Sequence, residues 1–485
     1  MKDERIESER TFIKTTNMNE GMNLLKFRPI RWLLHWPGFP YAFQVVMLIA
    51  FIGLAWLGWG VHAPPGVDAK LFAKAHLSTL LIWGIWWPMM VWMAVLLGRA
   101  WCMVCPLELV SNVSERVGGA LGFCQRPLKK WVISGTIIVF LYGLIQMLVA
   151  GAHINRIPAY TSWFLIALLS AAFITGLLFK DRAFCRGFCP VGLLLGTYGR
   201  GGMLAVRAGS GTTCQGCIGK DCIMACNRTR LDARSCPSLL NPPKLNSNRD
   251  CLVCGQCIKS CQPDNMRLLL RRPFPLSDVR EPIASWPVTL FVMLVSGFVT
   301  WEVFTEWPAA EELFLRIPDR VVAILGWPGG VGWFHGLWAL GVVPLVIWSA
   351  LSGLIRLLGE EESLPLLWRR IALPLAVVVA AGHMAKGLAK VSSWIGFLPY
   401  ALRDPYGGST ISALASKSLP PPPHLLSIGW VSVLGILLVT TSLFVAVREA
   451  RLANPDTAIR FHQLLPIVGL ATVFLGIVGG WAFQL

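Results

Sequence analysis

Runs of about twenty residues with almost no charge recur along this chain, and such a run leaves a polypeptide few options. A bilayer core is crossed by about 20 helical residues, and backbone placed there must satisfy its own hydrogen bonds, as a helix does. About nine candidate spans meet this description. Four precede a cysteine-rich segment: Tyr41–Val61, Leu77–Leu97, Trp131–Ala150 and Thr161–Phe179. Five follow it: Ile283–Thr300, Gly332–Leu357, Ile371–Lys390, Ile428–Val447 and Leu464–Trp481. Of the 485 residues 55% are hydrophobic and 14% charged, well below the charge content of a soluble domain. Tryptophans crowd the ends of the runs, as in "WLGWG" and "IWGIWW", where amphipathic rings sit at headgroup level.

The net charge of +17 follows this topology and is no nucleic-acid footprint. With the N-terminus cytoplasmic, the inner segments are the N-terminal 40 residues, 98–130, 180–282, 356–370 and 448–463. They hold about 34 of the 43 Lys and Arg, the bias expected of cytoplasmic loops. This predicts a multi-pass protein of a bacterial inner membrane, with its cysteine-rich segments on the cytoplasmic side. The first twenty residues have neither the apolar core nor the small-residue cleavage site of a signal peptide. No phosphate loop, dinucleotide fingerprint or nucleophile triad is present.

Fourteen cysteines occur, and twelve fall in short ligand-like spacings. "CLVCGQCIKSCQP" carries Cys251, Cys254, Cys257 and Cys261, the C-x2-C-x2-C-x3-C run that binds 4Fe-4S clusters in bacterial ferredoxins. "CQGCIGKDCIMAC" carries Cys214, Cys217, Cys222 and Cys226, with a longer middle gap and the same ending. In two-cluster proteins the fourth ligand is exchanged between runs. That assigns Cys214, Cys217, Cys222 and Cys261 to one cluster, and Cys251, Cys254, Cys257 and Cys226 to the other. Cys236, followed by Pro237, is the alternative to Cys226. Paired structural zinc is the bland reading, although zinc has no use for the tight third cysteine.

Two further pairs follow the second and fourth spans. "GRAWCMVCPLELV" holds Cys102 and Cys105, and "DRAFCRGFCPVGLLL" holds Cys185 and Cys189. Both read R-A-aromatic-C, a short gap, then C-P. This internal repeat predicts four thiols meeting at one membrane face, with a third cluster, a redox dithiol and helix-capping turns as the alternatives. Cys124 stands alone and reads as an inert thiol.

This order of hairpin, Cys-Pro motif, hairpin, Cys-Pro motif and double-cluster segment resembles the NapH, MauN and NosR group of membrane polyferredoxins. It is also similar to the oxidase-assembly iron–sulfur proteins that share the Cys-Pro motifs. The likeness covers about residues 40–270 and rests on "CMVCP", "CRGFCP" and the two quartets. The first pair here has a two-residue gap where the family has three. No outer flavin domain of the NosR type fits before the first span, and the later helices lie beyond the resemblance. The resemblance implies electron transfer between the quinone pool and a partner redox or maturation system.

The predicted fold is therefore an all-α polytopic membrane protein with an inserted two-cluster ferredoxin-like α+β module. Its parts are an N-terminal tail (1–40), a four-helix membrane domain (41–200), the module (201–275) and a second membrane domain (283–485). In the last, His383, Lys386 and Lys390 share one face of the seventh span. Ionisable groups in a span are costly and usually face a cavity or a partner, here Glu302, Glu306 or Asp319. A quinone site would use His383 with Glu302 or Glu306, and Lys386 nearby. Haem b would use His335 with His383. Otherwise these are interfacial histidines, with His62, His76 and His153, and snorkelling lysines. Three functions compete: an electron carrier or quinol dehydrogenase subunit, an assembly factor supplying electrons to a metalloenzyme, and a redox sensor.

Overall fold

A computed structural model describes residues 21–273, 283–359, 361–452 and 461–483. Residues 1–20, to which the signal-peptide reading applies, and half of the 448–463 loop lie outside them. The described chain is mainly helical, with one three-stranded sheet. β1 (Met22–Asn23) and the short helix α1 (Arg28–His35) come first. The first membrane half holds α2 (Tyr41–Leu57), α3 (Leu77–Leu97), α4 (Pro106–Ala120), α5 (Thr136–Gly151), α6 (Pro158–Leu178) and α7 (Gly192–Gly199). The cysteine-rich segment holds β2 (Leu204–Ala208), α8 (Gln256–Lys259) and β3 (Met266–Leu270). The second half holds α9 (Trp286–Phe304), α10 (Pro308–Leu325), α11 (Val331–Leu357), α12 (Leu364–Trp394), α13 (Ile428–Leu452) and α14 (Leu465–Gly480).

Among the described residues seven helices are long and apolar enough to cross a membrane. Of the nine expected, the first and third fall short: α2 has 17 residues and α5 has 16. Gly58 closes α2, and Gly135, at φ 101°, delays the start of α5. An unexpected amphipathic helix, α10, lies between the fifth and sixth spans. It buries Leu315 and Val322 and exposes Leu313, Ile317 and Ile324.

α12 is the axis of the bundle, buried along most of its length and packed against α3, α9, α13 and α14. Bulky apolar side chains such as Trp56, Phe140 and Phe444 remain exposed on the outer helix faces, as a lipid-facing surface requires.

Three π turns interrupt the helices, at Leu80–Trp86, Phe184–Phe188 and Trp338–Val342. Each ends two residues before a proline: Pro88, Pro190 and Pro344. Proline has no N–H to donate and clashes with the carbonyl four residues earlier, so a widened turn relieves the conflict.

The cysteine-rich segment closes into a small domain against the bundle. β3 is central, antiparallel to β2 (Leu204↔Leu270 to Ala208↔Met266) and to β1 (Met22↔Leu270, Asn23↔Leu269). Its core joins Val206, Ile258, Met266 and Leu268 to Leu34 and Phe39. Residues 22–39 are thus part of this domain and not a tail. Lys259 Nζ caps the chain end of α1 by donating to the carbonyls of Trp36 (2.7 Å) and Phe39. The domain meets the bundle where Gly98, at φ 69°, passes Gly202, whose added Cβ would lie 2.5 Å from the Gly98 nitrogen. Gly98→Ala should cost about 1–3 kcal/mol of stability from backbone strain, read as a lower thermal midpoint in detergent.

Candidate iron–sulfur sites

The two Cys-Pro motifs are built alike despite their unequal gaps. Cys102 lies on an ordinary helical turn, Trp101–Val104, whereas Cys185 lies on the π turn Phe184–Phe188. The extra residue of the second motif is absorbed by the wider turn. Cys105 (φ −66°, ψ 126°) and Cys189 (φ −69°, ψ 112°) then leave their turns in the same extended conformation. Pro106 and Pro190 follow, and a new helix starts soon after each. All four thiols come within electrostatic reach of one another. Burial, followed by Cys185, Cys102 and Cys189, pushes the Cys105 thiol well up. Burial, followed by Cys185 and Cys102, pushes Cys189 up to about 12.

The arginine that opens each R-A-aromatic-C repeat has a purpose there. Arg99 faces Cys102 and Cys189, and Arg182 faces Cys185 and Cys102. Arg182 also reaches toward Cys254, so it spans the gap between this site and the sheet domain. Glu108, buried at the start of α4, holds both Arg182 Nε (3.1 Å) and Arg234 Nη2 (2.7 Å). Gln44 of α2 donates to Glu108 Oε2 (2.7 Å) and to the Met103 carbonyl (3.0 Å). Burial alone would raise the Glu108 pKa, but the two guanidinium groups hold it down at about 2. Two buried cations against one carboxylate leave a local excess of positive charge beside the thiols.

In the sheet domain the second run meets Cys236, the alternative fourth ligand. Cys251, Cys254 and Cys257 line a cavity together with Cys236, with Val206 and Leu252 forming its apolar wall. Cys226 does not line it; it is exposed, with its sulfur 3.9 Å from Asn227 Oδ1. The chain doubles back after Cys226, with Ser235 N donating to Asn227 O (3.2 Å) and Cys236 N to Cys222 O (2.9 Å). That return delivers the cysteine before Pro237 to the cavity. After burial, Cys236 is the largest influence on Cys254, whose thiol rises to about 12.

The other quartet assembles from both runs. After burial, Cys261, Cys214 and Cys217 are the groups that push Cys222 up, to about 11. Asn265 ties two of them together, with its side chain donating to Cys214 Sγ (3.1 Å) and its backbone N–H to Cys261 Sγ (3.2 Å). This site is part-exposed, whereas Cys251 and Cys257 are buried.

Several backbone N–H groups also point at sulfur: Glu108 at Cys105, Val191 at Cys189, Val253 at Cys251 and Gln256 at Cys254. Such donors stabilise thiolate ligands and tune cluster potentials. Among the described residues no three His, Cys, Asp or Glu groups converge on a point where a single metal ion would bind, which structural zinc needs. Cys124 is exposed and apart from all three sites.

The histidines do not gather. His335 Nε2 lies 2.7 Å from Asp319 Oδ1, while His383 Nδ1 lies 3.4 Å from Tyr198 OH. The haem pairing of His335 with His383 would need the nitrogen that Asp319 already engages. His62 bonds the Gly60 carbonyl, His76 caps the turn at Ser78, and His153 sits in a left-handed turn. Lys386 Nζ donates to Glu306 Oε1 (2.6 Å) and Thr305 Oγ1 (2.8 Å) and lies 3.7 Å from Glu302 Oε2. Lys390 sits over the Trp394 ring. Tyr198, on the helix that follows Cys189-Pro190, is the hydrogen-bond partner of His383. Sequence reasoning passed over it because a tyrosine in "LLLGTYG" carries no spacing signal. The repeated arginine, by contrast, was visible in both motifs.

No family model and no solved structure matches the chain. The ferredoxin-type protein NapH of Haemophilus influenzae is 24% identical over 209 residues, 41% of this chain and 71% of that protein. The putative electron transport protein YccM of Escherichia coli K12 is 24% identical over 252 residues, 46% of this chain and 67% of that protein. The methylamine utilization ferredoxin-type protein MauN of Paracoccus denitrificans is 25% identical over 178 residues, 34% of this chain and 55% of that protein. Each likeness covers less than half of this chain, and the chain spans just over half the length of MauN. The chain is thus similar, over less than half of its length, to the ferredoxin-type proteins NapH and MauN.

Proposed function

We propose that this protein carries electrons between membrane quinone and a redox partner, through three 4Fe-4S clusters held in a row. The single observation behind this is the succession of thiol quartets. Cys102, Cys105, Cys185 and Cys189 lie at the bundle end. Cys236, Cys251, Cys254 and Cys257 come next, and Cys214, Cys217, Cys222 and Cys261 lie at the surface. When bound, such a cluster takes up and releases one electron without moving its ligands. Arg182 lies between the first and second quartets, and the Cys236–Cys222 backbone bond joins the second to the third.

The chain's own residues supply the rest. Arg99 and Arg182 offset the negative charge that four thiolates bring to the bundle end. Asn265 donates to two sulfurs of the surface quartet and favours the more negative, reduced state. His383 and Tyr198 form the polar end of a quinone site, one accepting and one donating a hydrogen bond to the head group. Exposed Ile218, Ile223 and Met224 surround the surface quartet, an apolar rim suited to brief docking of the partner protein.

The test uses anaerobically purified protein in nanodiscs. A short-chain quinol should elicit the EPR signals of reduced clusters. Clusters that dithionite reduces and quinol does not would sink the quinone assignment. Cys105→Ser with Cys189→Ser should lower iron by one cluster, and the remaining two should answer to dithionite but no longer to quinol.

The positive-inside bias supports placing the cysteine sites on the cytoplasmic side of an inner membrane. Exposed Cys124 reports on it. An impermeant maleimide should leave Cys124 unlabelled in intact spheroplasts and label it after lysis; labelling before lysis would invert the orientation.

A further inference from the structure

The acidic and basic groups of the second membrane half form a row that electron transfer alone does not need. His383 and Lys386 lie one turn apart on α12, opposite Glu302 and Glu306, one turn apart across the end of α9. Lys386 is shared by both carboxylates, at 2.6 Å from Glu306 and 3.7 Å from Glu302. Glu302 is within electrostatic reach of His383, Lys390 and Arg156, and of Tyr142 on α5. Lys70 faces Glu306 from the short helix Ala69–Ala75 that precedes α3. The row thus starts at Tyr198, on the helix that follows Cys189-Pro190, and ends past the last turn of α9.

Its exposure is graded. His383 is 4% exposed and Lys386 8%, while the side chains of Glu302 and Glu306 reach 24% and 29%. A purely structural ion pair would be closed at both ends. This row, in which Lys386, Lys390, Lys70 and Arg156 face the two carboxylates, is closed at His383 and opens toward Glu306. Ionisable groups at such depth commonly mark proton routes.

We propose that the row is a proton exit path, by which oxidation of a quinol beside His383 releases protons on the face opposite the cysteine sites. The inference rests on the quinone reading above. In the step, the two O–H bonds of the quinol break. Its two electrons pass singly to the oxidised clusters, and the oxidised quinone remains. Its two protons pass in turn to the His383 imidazole, to Glu302, and past Lys386 to Glu306 and water. Electrons and protons leave at opposite ends, so each turnover moves charge across the membrane.

The test uses the full chain in liposomes that enclose a pH-sensitive dye. A lipophilic quinol is the donor, and external ferricyanide, which cannot cross the bilayer, accepts electrons from molecules whose cysteine sites face outward. Two ferricyanides are reduced per quinol and neither takes up a proton. The lumen should acidify in step with ferricyanide reduction. Glu302→Gln and Glu306→Gln should slow both by about a hundredfold, the scale of a lost proton-transfer group. Their iron content and their reduction by dithionite should stay at wild-type levels, which shows that the variants are folded. Protons appearing outside, or full-rate acidification in both variants, would overturn the path and leave the electron carrier standing. Quinol that reduces no cluster in the wild-type protein would overturn both.

Discussion

Replacing Cys236 with serine removes one cluster's iron and its EPR signal, whereas replacing Cys226 leaves both as they were. That is the expected result of metal analysis on the two anaerobically prepared variants, and spacing alone predicts the reverse. The contrast follows from the cavity that Cys236 lines with Cys251, Cys254 and Cys257, and from the exposure of Cys226. Serine is a poor substitute for a thiolate on iron, and a cubane with three corners held is labile. Transfer from quinol to the surface quartet should fall with it, because the middle site is the bridge. Iron loss on replacing Cys226, with none on replacing Cys236, would refute the ligand set.

A second large effect lies at Glu108. Its removal leaves Arg182 and Arg234 buried without their counter-ion, and breaking a buried pair in this way costs about 3–5 kcal/mol. Glu108→Ala should therefore lower the thermal midpoint in detergent sharply and loosen the first and second cysteine sites together. Glu108→Gln, which keeps the shape, separates charge from packing. The sign of the pH dependence follows from a folded pKa held at about 2, below the ordinary value of 4.5. Glu108 stabilises fully above that ordinary value, and its contribution is lost as pH falls from about 4.5 toward about 2. The Gln variant should lack this component of acid destabilisation. An unchanged acid profile in Glu108→Gln would show that the arginines do not depend on Glu108.

Much of this was legible because apolar length and thiol spacing are local signals. The later spans read directly from composition, and the chain paths that bring Cys102 and Cys105 to Cys185 and Cys189 follow from the repeat. What failed was non-local or interrupted. α10 went unseen because Pro318 and the charges at Glu311, Glu312, Arg316, Asp319 and Arg320 break any twenty-residue apolar window. β1 is two residues long, too short for a periodicity, and its partner lies at the far end of the first half. Cys226 attracted the assignment because it completes a C-x3-C run, yet the chain's return from Asn227 brings Cys236, and not Cys226, to the cavity. The unequal Cys-Pro gaps looked like inequivalence until the π turn accounted for the additional residue.

The pairing of Met22–Asn23 with the edge of β3 also carries a consequence for biogenesis. When Met22 and Asn23 leave the ribosome, the strand they join has not been made, and four apolar helices lie between the two in the chain. Until Leu270 emerges, Leu34 and Phe39 have no surface to cover. The thiols of Cys251 and Cys257 are made shortly before their sheet is complete, and they stay open to an iron–sulfur donor until the N-terminal segment swings back. A nascent chain of this kind is loaded late and closed by a strand made long before its partner. Met22 and Asn23 are synthesised ahead of β3 and find their place only after it.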